Sequence, residues 1–113
     1  MKTNSLGTIN NQEIQIIVND ETEFVPLRQV CSALGISYAD EVVEVMDNDF
    51  VADKYKLLEL VINDKKTDSI SIPVKYMLGY IGIVSKKTSL EKEKYIETKR
   101  EILDKIYHYI FKS

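Results

Sequence analysis

The chain has no tryptophan, one cysteine, one histidine, two prolines and four glycines among its 113 residues. Each scarcity excludes something. With Cys31 alone, no disulfide can close within the chain. Its setting, Val30-Cys31-Ser32-Ala33-Leu34, is that of a small core residue, with no neighbouring base or cation to activate a thiolate. Zinc sites draw mainly on His and Cys, and one of each is too few. Asp47-Asn48-Asp49 with Asp53 offers oxygen ligands, but no glycine follows where an EF-hand loop must turn, so no metal is expected. The glycines at 7, 35, 79 and 82 are scattered and form no phosphate-cradling loop. His108, between Tyr107 and Tyr109, reads as a solvated or core-edge imidazole. Ser37 and Ser89 read as helix-start residues. No catalytic residue and no cofactor are expected; the chain does not read as an enzyme.

Long hydrophobic runs are missing too. Stretches such as Leu60-Val61-Ile62 are far too short to cross a bilayer. The polar start Met1-Lys2-Thr3-Asn4-Ser5 has no apolar segment behind it, so a cytoplasmic protein is expected. Basic charge is scarce in most of the chain. Residues 1–85 hold 7 Lys and Arg against 13 Asp and Glu, a net of −6, whereas residues 86–113 hold 8 against 5, a net of +3. A polyanion would be repelled by most of the surface and met only by the C-terminal segment.

What is present is ordinary globular composition, 44% hydrophobic and 29% charged, enough for one domain with its own core. Residues 1–12 show no periodicity and read as a flexible arm, leaving 13–113 as the domain. Residues 13–18 and 23–25 read as two strands joined by the turn chemistry of Asn19-Asp20-Glu21-Thr22. Pro26 suits a helix start, and Leu27, Val30, Cys31 and Leu34 recur at helical spacing up to Gly35, a C-terminal stop. Ser37 is an N-cap for a second helix with the stripe Ala39, Val42, Val43 and Met46. From Lys54 the period becomes two. Apolar residues on both faces predict a strand covered on both, followed by the polar loop 63–68 and a more exposed return strand, 69–74. A short helix follows Pro73 and closes near Gly82. Thr88-Ser89-Leu90-Glu91 has the form of a capping box, with Thr88 as N-cap of a helix from Ser89 to Phe111. Its stripe is Tyr95, Ile96, Ile102, Leu103, Ile106, Tyr107 and Ile110. The order predicts an α+β fold of two short β-hairpins and two helix pairs, ending in a long amphipathic helix. Leu34, Leu58, Leu60 and Leu103 are expected in its core.

Two helices about a glycine turn, residues 27–47, have the skeleton of a helix-turn-helix. The sign of the charge is against groove reading: Asp40, Glu41, Glu44, Asp47, Asp49 and Asp53 stand between 38 and 53 without one Lys or Arg.

Three stretches together resemble the N-terminal domain of phage antirepressor proteins. Residues 24–36, Phe-Val-Pro-Leu-Arg-Gln-Val-Cys-Ser-Ala-Leu-Gly-Ile, are similar to that family's opening motif. Residues 71–81 resemble its later Pro-hydrophobic-x-Tyr stretch, and residues 94–111 its closing helix. The resemblance covers about residues 12–111 and implies a phage or prophage regulator of transcription that binds a repressor-like protein partner. Related domains bind DNA, but the acidic run after Gly35 departs from the basic residues usual there. Arg28, Tyr38, Asp40, Glu41 and Glu44 are accordingly the partner-binding candidates. Lys92, Lys99 and Arg100 are the candidate nucleic-acid contacts. The wide apolar sector of the last helix makes Ile106, Tyr109, Ile110 and Phe111 candidates for a homodimer interface.

Overall fold

The computed structural model describes residues 2–84 and 87–111; Met1, Ser85, Lys86, Lys112 and Ser113, which fall within the expected arm and domain, lie outside them. Its frame is set by three two-residue turns. Asn10-Asn11, Asp20-Glu21 and Asn63-Asp64 all have positive φ at both positions. This is the type I′ pattern, whose twist matches that of the strands it joins. The turns link β1 (Lys2–Ile9) to β2 (Gln12–Asn19), β2 to β3 (Thr22–Pro26), and β4 (Lys56–Ile62) to β5 (Lys65–Pro73). All five strands form one antiparallel sheet in the order β1-β2-β3-β5-β4.

Three expectations are corrected here. Residues 2–9 are not a loose arm but the edge strand β1, paired with β2 from Lys2↔Val18 to Ile9↔Gln12. An edge strand needs little apolar pattern, and only Ile9 of β1 is fully buried. The return strand β5 is not the exposed member of its hairpin. It is inserted between β3 and β4, so Ser69–Pro73 are buried while β4 becomes the edge, with Leu57 and Val61 exposed. The stretch 63–68 is not a loop beyond Asn63-Asp64, because β5 already begins at Lys65.

β3 is short, and α1 (Leu27–Leu34) takes over where it ends. The Gln15 N–H, which β3 no longer reaches, donates to Gln29 Oε1 at 2.7 Å. On the other side the Arg28 N–H donates to Ser69 Oγ at 3.1 Å. The first turn of α1 thus sits as a wedge between β2 and β5, pairing the Gln15 and Arg28 backbone N–H groups with side-chain acceptors. Its apolar face, Leu27, Val30, Cys31, Ala33 and Leu34, meets Ile14, Ile16, Val25, Ile70 and Ile72 of the sheet in the main core. A smaller cluster on the other sheet face joins Ile17 and Phe24 to Leu58 and Leu60. Leu34, Leu58 and Leu60 are core residues as expected; Leu103 is only half-buried.

Gly35 ends α1 at φ 66°, with its N–H on the Ser32 carbonyl and the Ile36 N–H on that of Cys31. This is a Schellman ending. The carbonyls it leaves over are also satisfied: Ala33 accepts from Asn10 Nδ2, Leu34 from the Thr88 hydroxyl, and Gly35 from the Ser89 N–H. Ser37 caps α2 (Tyr38–Asp47) by accepting from the Asp40 N–H. α3 (Val74–Tyr80) continues as a turn of 3-10 helix, Ile81–Ile83, and α4 spans Lys92–Phe111.

The expected capping box is therefore corrected. Thr88 does not cap α4; its hydroxyl accepts from the Leu90 N–H and donates to the end of α1. The helical ladder begins at the Tyr95 N–H to Glu91 carbonyl bond, three residues later than the sequence pattern predicts. Tertiary docking of residues 88–90 on the Gly35 turn wins over the local cap.

Candidate functional site

The two helices around Gly35 bring together most of the partner-binding candidates, but not on one surface. Arg28 lies with its guanidinium 4.2 Å from the centre of the Tyr38 ring and donates to the Asp68 carbonyl from Nε and Nη2. The Tyr38 hydroxyl in turn accepts from the Ile70 N–H at 2.8 Å. Arg28 and Tyr38, the first two partner-binding candidates, thus hold α1 and α2 against β5 while staying partly exposed.

The reading of Glu41 as a contact residue is corrected. It is 1% exposed and accepts a 2.6 Å hydrogen bond from the Tyr80 hydroxyl of α3. A buried carboxylate costs several kcal/mol unless hydrogen-bonded, and this contact offsets the cost. Burial, followed by the hydrogen bond to Glu41, pushes the Tyr80 phenol far above its usual range. Cys31 is pushed up to about 12, first by burial and then by Glu41 charge, with Arg28 opposing. Burial also raises Tyr95, again with a contribution from Glu41. The buried thiol is held in its inert form at neutral pH.

Burying Glu41 fixes the rotation of α2. Tyr38, Glu41, Val42 and Val45 face inward, not the expected stripe Ala39, Val42, Val43 and Met46. Val43 and Met46 are turned out, more than half exposed, and Ile83 beside Val43 likewise. Asp40, Glu44 and Asp47 are exposed along one flank of the same helix. Asp40, Glu41, Val43, Glu44 and Ile83 line a shallow concavity on this side. The result is an apolar strip flanked by acidic charge, with the candidates Asp40 and Glu44.

The candidate nucleic-acid contacts do come together. Lys92, Lys99 and Arg100 line one groove of about 740 Å³ between α4 and residues 88–90, and no carboxylate lines it. Its remaining walls are largely apolar: Leu90, Tyr95, Ile96 and Leu103, with Thr88 at the end. Helical spacing puts positions 92, 96, 99 and 103 on one face of α4, with Glu93, Glu97, Glu101 and Asp104 on others. Sequence reasoning found the cations and missed the groove, because its second wall comes from residues docked on the Gly35 turn.

The proposed oligomer residues separate. Ile106 is fully buried and belongs to the main core, which corrects its assignment to an interface. Tyr109 and Ile110 are half-buried against the body of the domain, and the Tyr109 hydroxyl donates to Glu23. Only Phe111 of the four is exposed, stacked on Tyr107 with ring centres 4.6 Å apart. Part of the width of the α4 stripe is taken up by packing over β1 and α3, while Ile96, Tyr107 and Phe111 stay exposed.

Among the described residues no three His, Cys, Asp or Glu side chains are gathered to hold a metal, and no helix is long and apolar enough to cross a membrane. No family model, curated protein or solved structure matches the chain.

Proposed function

We propose that the protein is a non-catalytic regulatory module, antirepressor-like and of phage or prophage type, that acts in the cytoplasm by binding a repressor-like protein. The observation that carries this reading is the outer face of α2: Val43 and Met46 are more than half exposed there, with Ile83 beside Val43 and with Asp40, Glu44 and Asp47 exposed along one flank. Apolar side chains left in water beside charged ones are common anatomy of a protein contact. The acidic flank selects a partner whose surface is basic, as the DNA-binding face of a repressor is. Covering that face would release the operator without any chemistry.

The test is titration calorimetry against the repressor encoded in the same phage or prophage. Binding is expected in the micromolar range or tighter, weakening with salt, and weakened at least tenfold by Val43→Asp or Met46→Asp. No heat with the wild-type chain, or full affinity in both variants, overturns the reading. DNA binding by the same family type is the second reading, and the three cations of the α4 groove favour it. It requires a mobility shift at low salt that fades as salt rises, and one that Lys92→Glu abolishes.

A further inference from the structure

Each copy of this chain carries two surfaces of opposite sign. One is the α2 strip, with Val43 and Met46 three residues apart on the exposed face and Asp40, Glu44 and Asp47 beside them. The other is the α4 groove, with Leu90, Ile96 and Leu103 in its walls and Lys92, Lys99 and Arg100 around them. We propose that the α4 groove receives the α2 face of a second copy, and that the exchange is reciprocal, giving a two-fold dimer.

Three observations support this occupant. The first is chemical match: the groove offers apolar walls and positive charge, and the strip offers apolar side chains and negative charge, in the form of a helix laid into a groove. Opposed patches of this kind steer encounter and fix orientation. The second is position. Residues 88–90, which wall the groove, are clamped on the turn that leads into α2: Thr88 donates to the Leu34 carbonyl and the Ser89 N–H to that of Gly35. The two surfaces therefore flank one fixed point, so a two-fold axis beside it lets each copy give its strip and receive the other's. That arrangement closes at two copies and needs no open chain. The third is exclusion of the obvious rival. A nucleic acid reaching the three cations would meet a chain whose net charge is −3, and its phosphates have no use for the apolar walls.

This inference rests on the reading of the α2 strip as a protein-binding face, since the same residues are used. It adds that the dimer hides that face, so dimer and repressor complex exclude one another.

Sedimentation equilibrium of the full chain from about 1 to 200 µM in 50 mM salt tests it. The mass is expected to rise from the 13.0 kDa of one chain towards twice that value, and to fall back in 0.5 M salt. Glu44→Lys with Asp47→Lys, and separately Lys92→Glu with Arg100→Glu, are each expected to weaken the dimer at least tenfold. All four positions are exposed, so both variants are expected to fold, which circular dichroism checks. An equimolar mixture of the two is expected to restore a dimer of one copy each, because both contacts regain opposite charges. A wild-type chain that stays at 13.0 kDa throughout overturns the proposal, as does a mixture that stays monomeric. So does a monomer whose groove binds duplex DNA and loses it with Lys92→Glu and Arg100→Glu. Calorimetry with the repressor, run on the same samples, separates the two claims: a monomer that still binds repressor sinks the dimer alone.

Discussion

The Tyr80 hydroxyl donates to Glu41 Oε1 at 2.6 Å inside the core, tying the third helix to the second. Neither partner is a surface group; Tyr80 and Glu41 are each 1% exposed. The bond settles which face of α2 looks inward and hence which apolar residues are left outside.

Removing the donor should therefore cost more than an ordinary hydrogen bond. Tyr80→Phe is expected to destabilise by about 1.5–3 kcal/mol, the range for a bond to a charged group. Glu41→Leu combined with Tyr80→Phe should cost less than Tyr80→Phe alone, because no carboxylate is then left unpaired. Urea unfolding of the three chains checks the order; a double variant worse than Tyr80→Phe would mean that the buried pair is a net source of stability.

Stability should fall on the alkaline side. Cys31 and Tyr80 both have folded-state pKa values above their unfolded ones, so the folded chain holds these protons more tightly. Their contribution is complete below the unfolded values and is lost as pH rises. For Cys31 the window runs from its ordinary value of 9.0 to about 12, with a slope of about 1.4 kcal/mol per pH unit while it titrates. Urea midpoints should be flat near neutrality and drop above pH 9, less steeply in Cys31→Ala. Equal slopes in the two proteins would show that the thiol does not carry this part of the loss.

Gly35 and Gly82 should respond oppositely to a methyl group. At Gly35, φ is 66° and an added Cβ would lie 2.6 Å from Ser89 Oγ. Backbone strain of about 1–2 kcal/mol adds to the displacement of residues 88–90, and Gly35→Val should be worse than Gly35→Ala. At Gly82 nothing lies within 4 Å of the added atom, so Gly82→Ala should change stability by less than about 0.5 kcal/mol. Thermal unfolding decides both, and a tolerated Gly35→Val would contradict the clamp on which the groove depends.

Along α4 the burden of packing should fall on Ile102 and Ile106, both fully buried. Ile102→Ala is expected to cost about 2–5 kcal/mol. Leu103, half-buried on the groove wall, should cost about half as much when cut to alanine. Equal losses at 102 and 103 would place the helix in a different rotation.

Much of this molecule is determined locally and can be read along the chain. The strands from 12 onwards, the α1 stop at Gly35, the Ser37 cap and the periodicity of the last helix all depend on residues within a few positions of one another. Asn10-Asn11 before the Gln12–Asn19 strand carried a turn signal of the same kind, and it is the clue that would have revealed β1. What could not be read is whatever depends on a partner far away in sequence. Glu41 is an acidic surface residue until Tyr80, 39 positions on, supplies a hydroxyl. Thr88 is an ideal cap until the open carbonyl of Leu34, 54 positions back, accepts its hydrogen bond. β5 reads as an exposed return strand until β3 pairs along its other edge. Hydrogen-bond needs of the short range are written in the sequence, because the chain's own stereochemistry brings the groups together. Those of the long range are settled only when packing decides which distant groups meet, and both the exposed face of α2 and the groove beside α4 are made at that second stage.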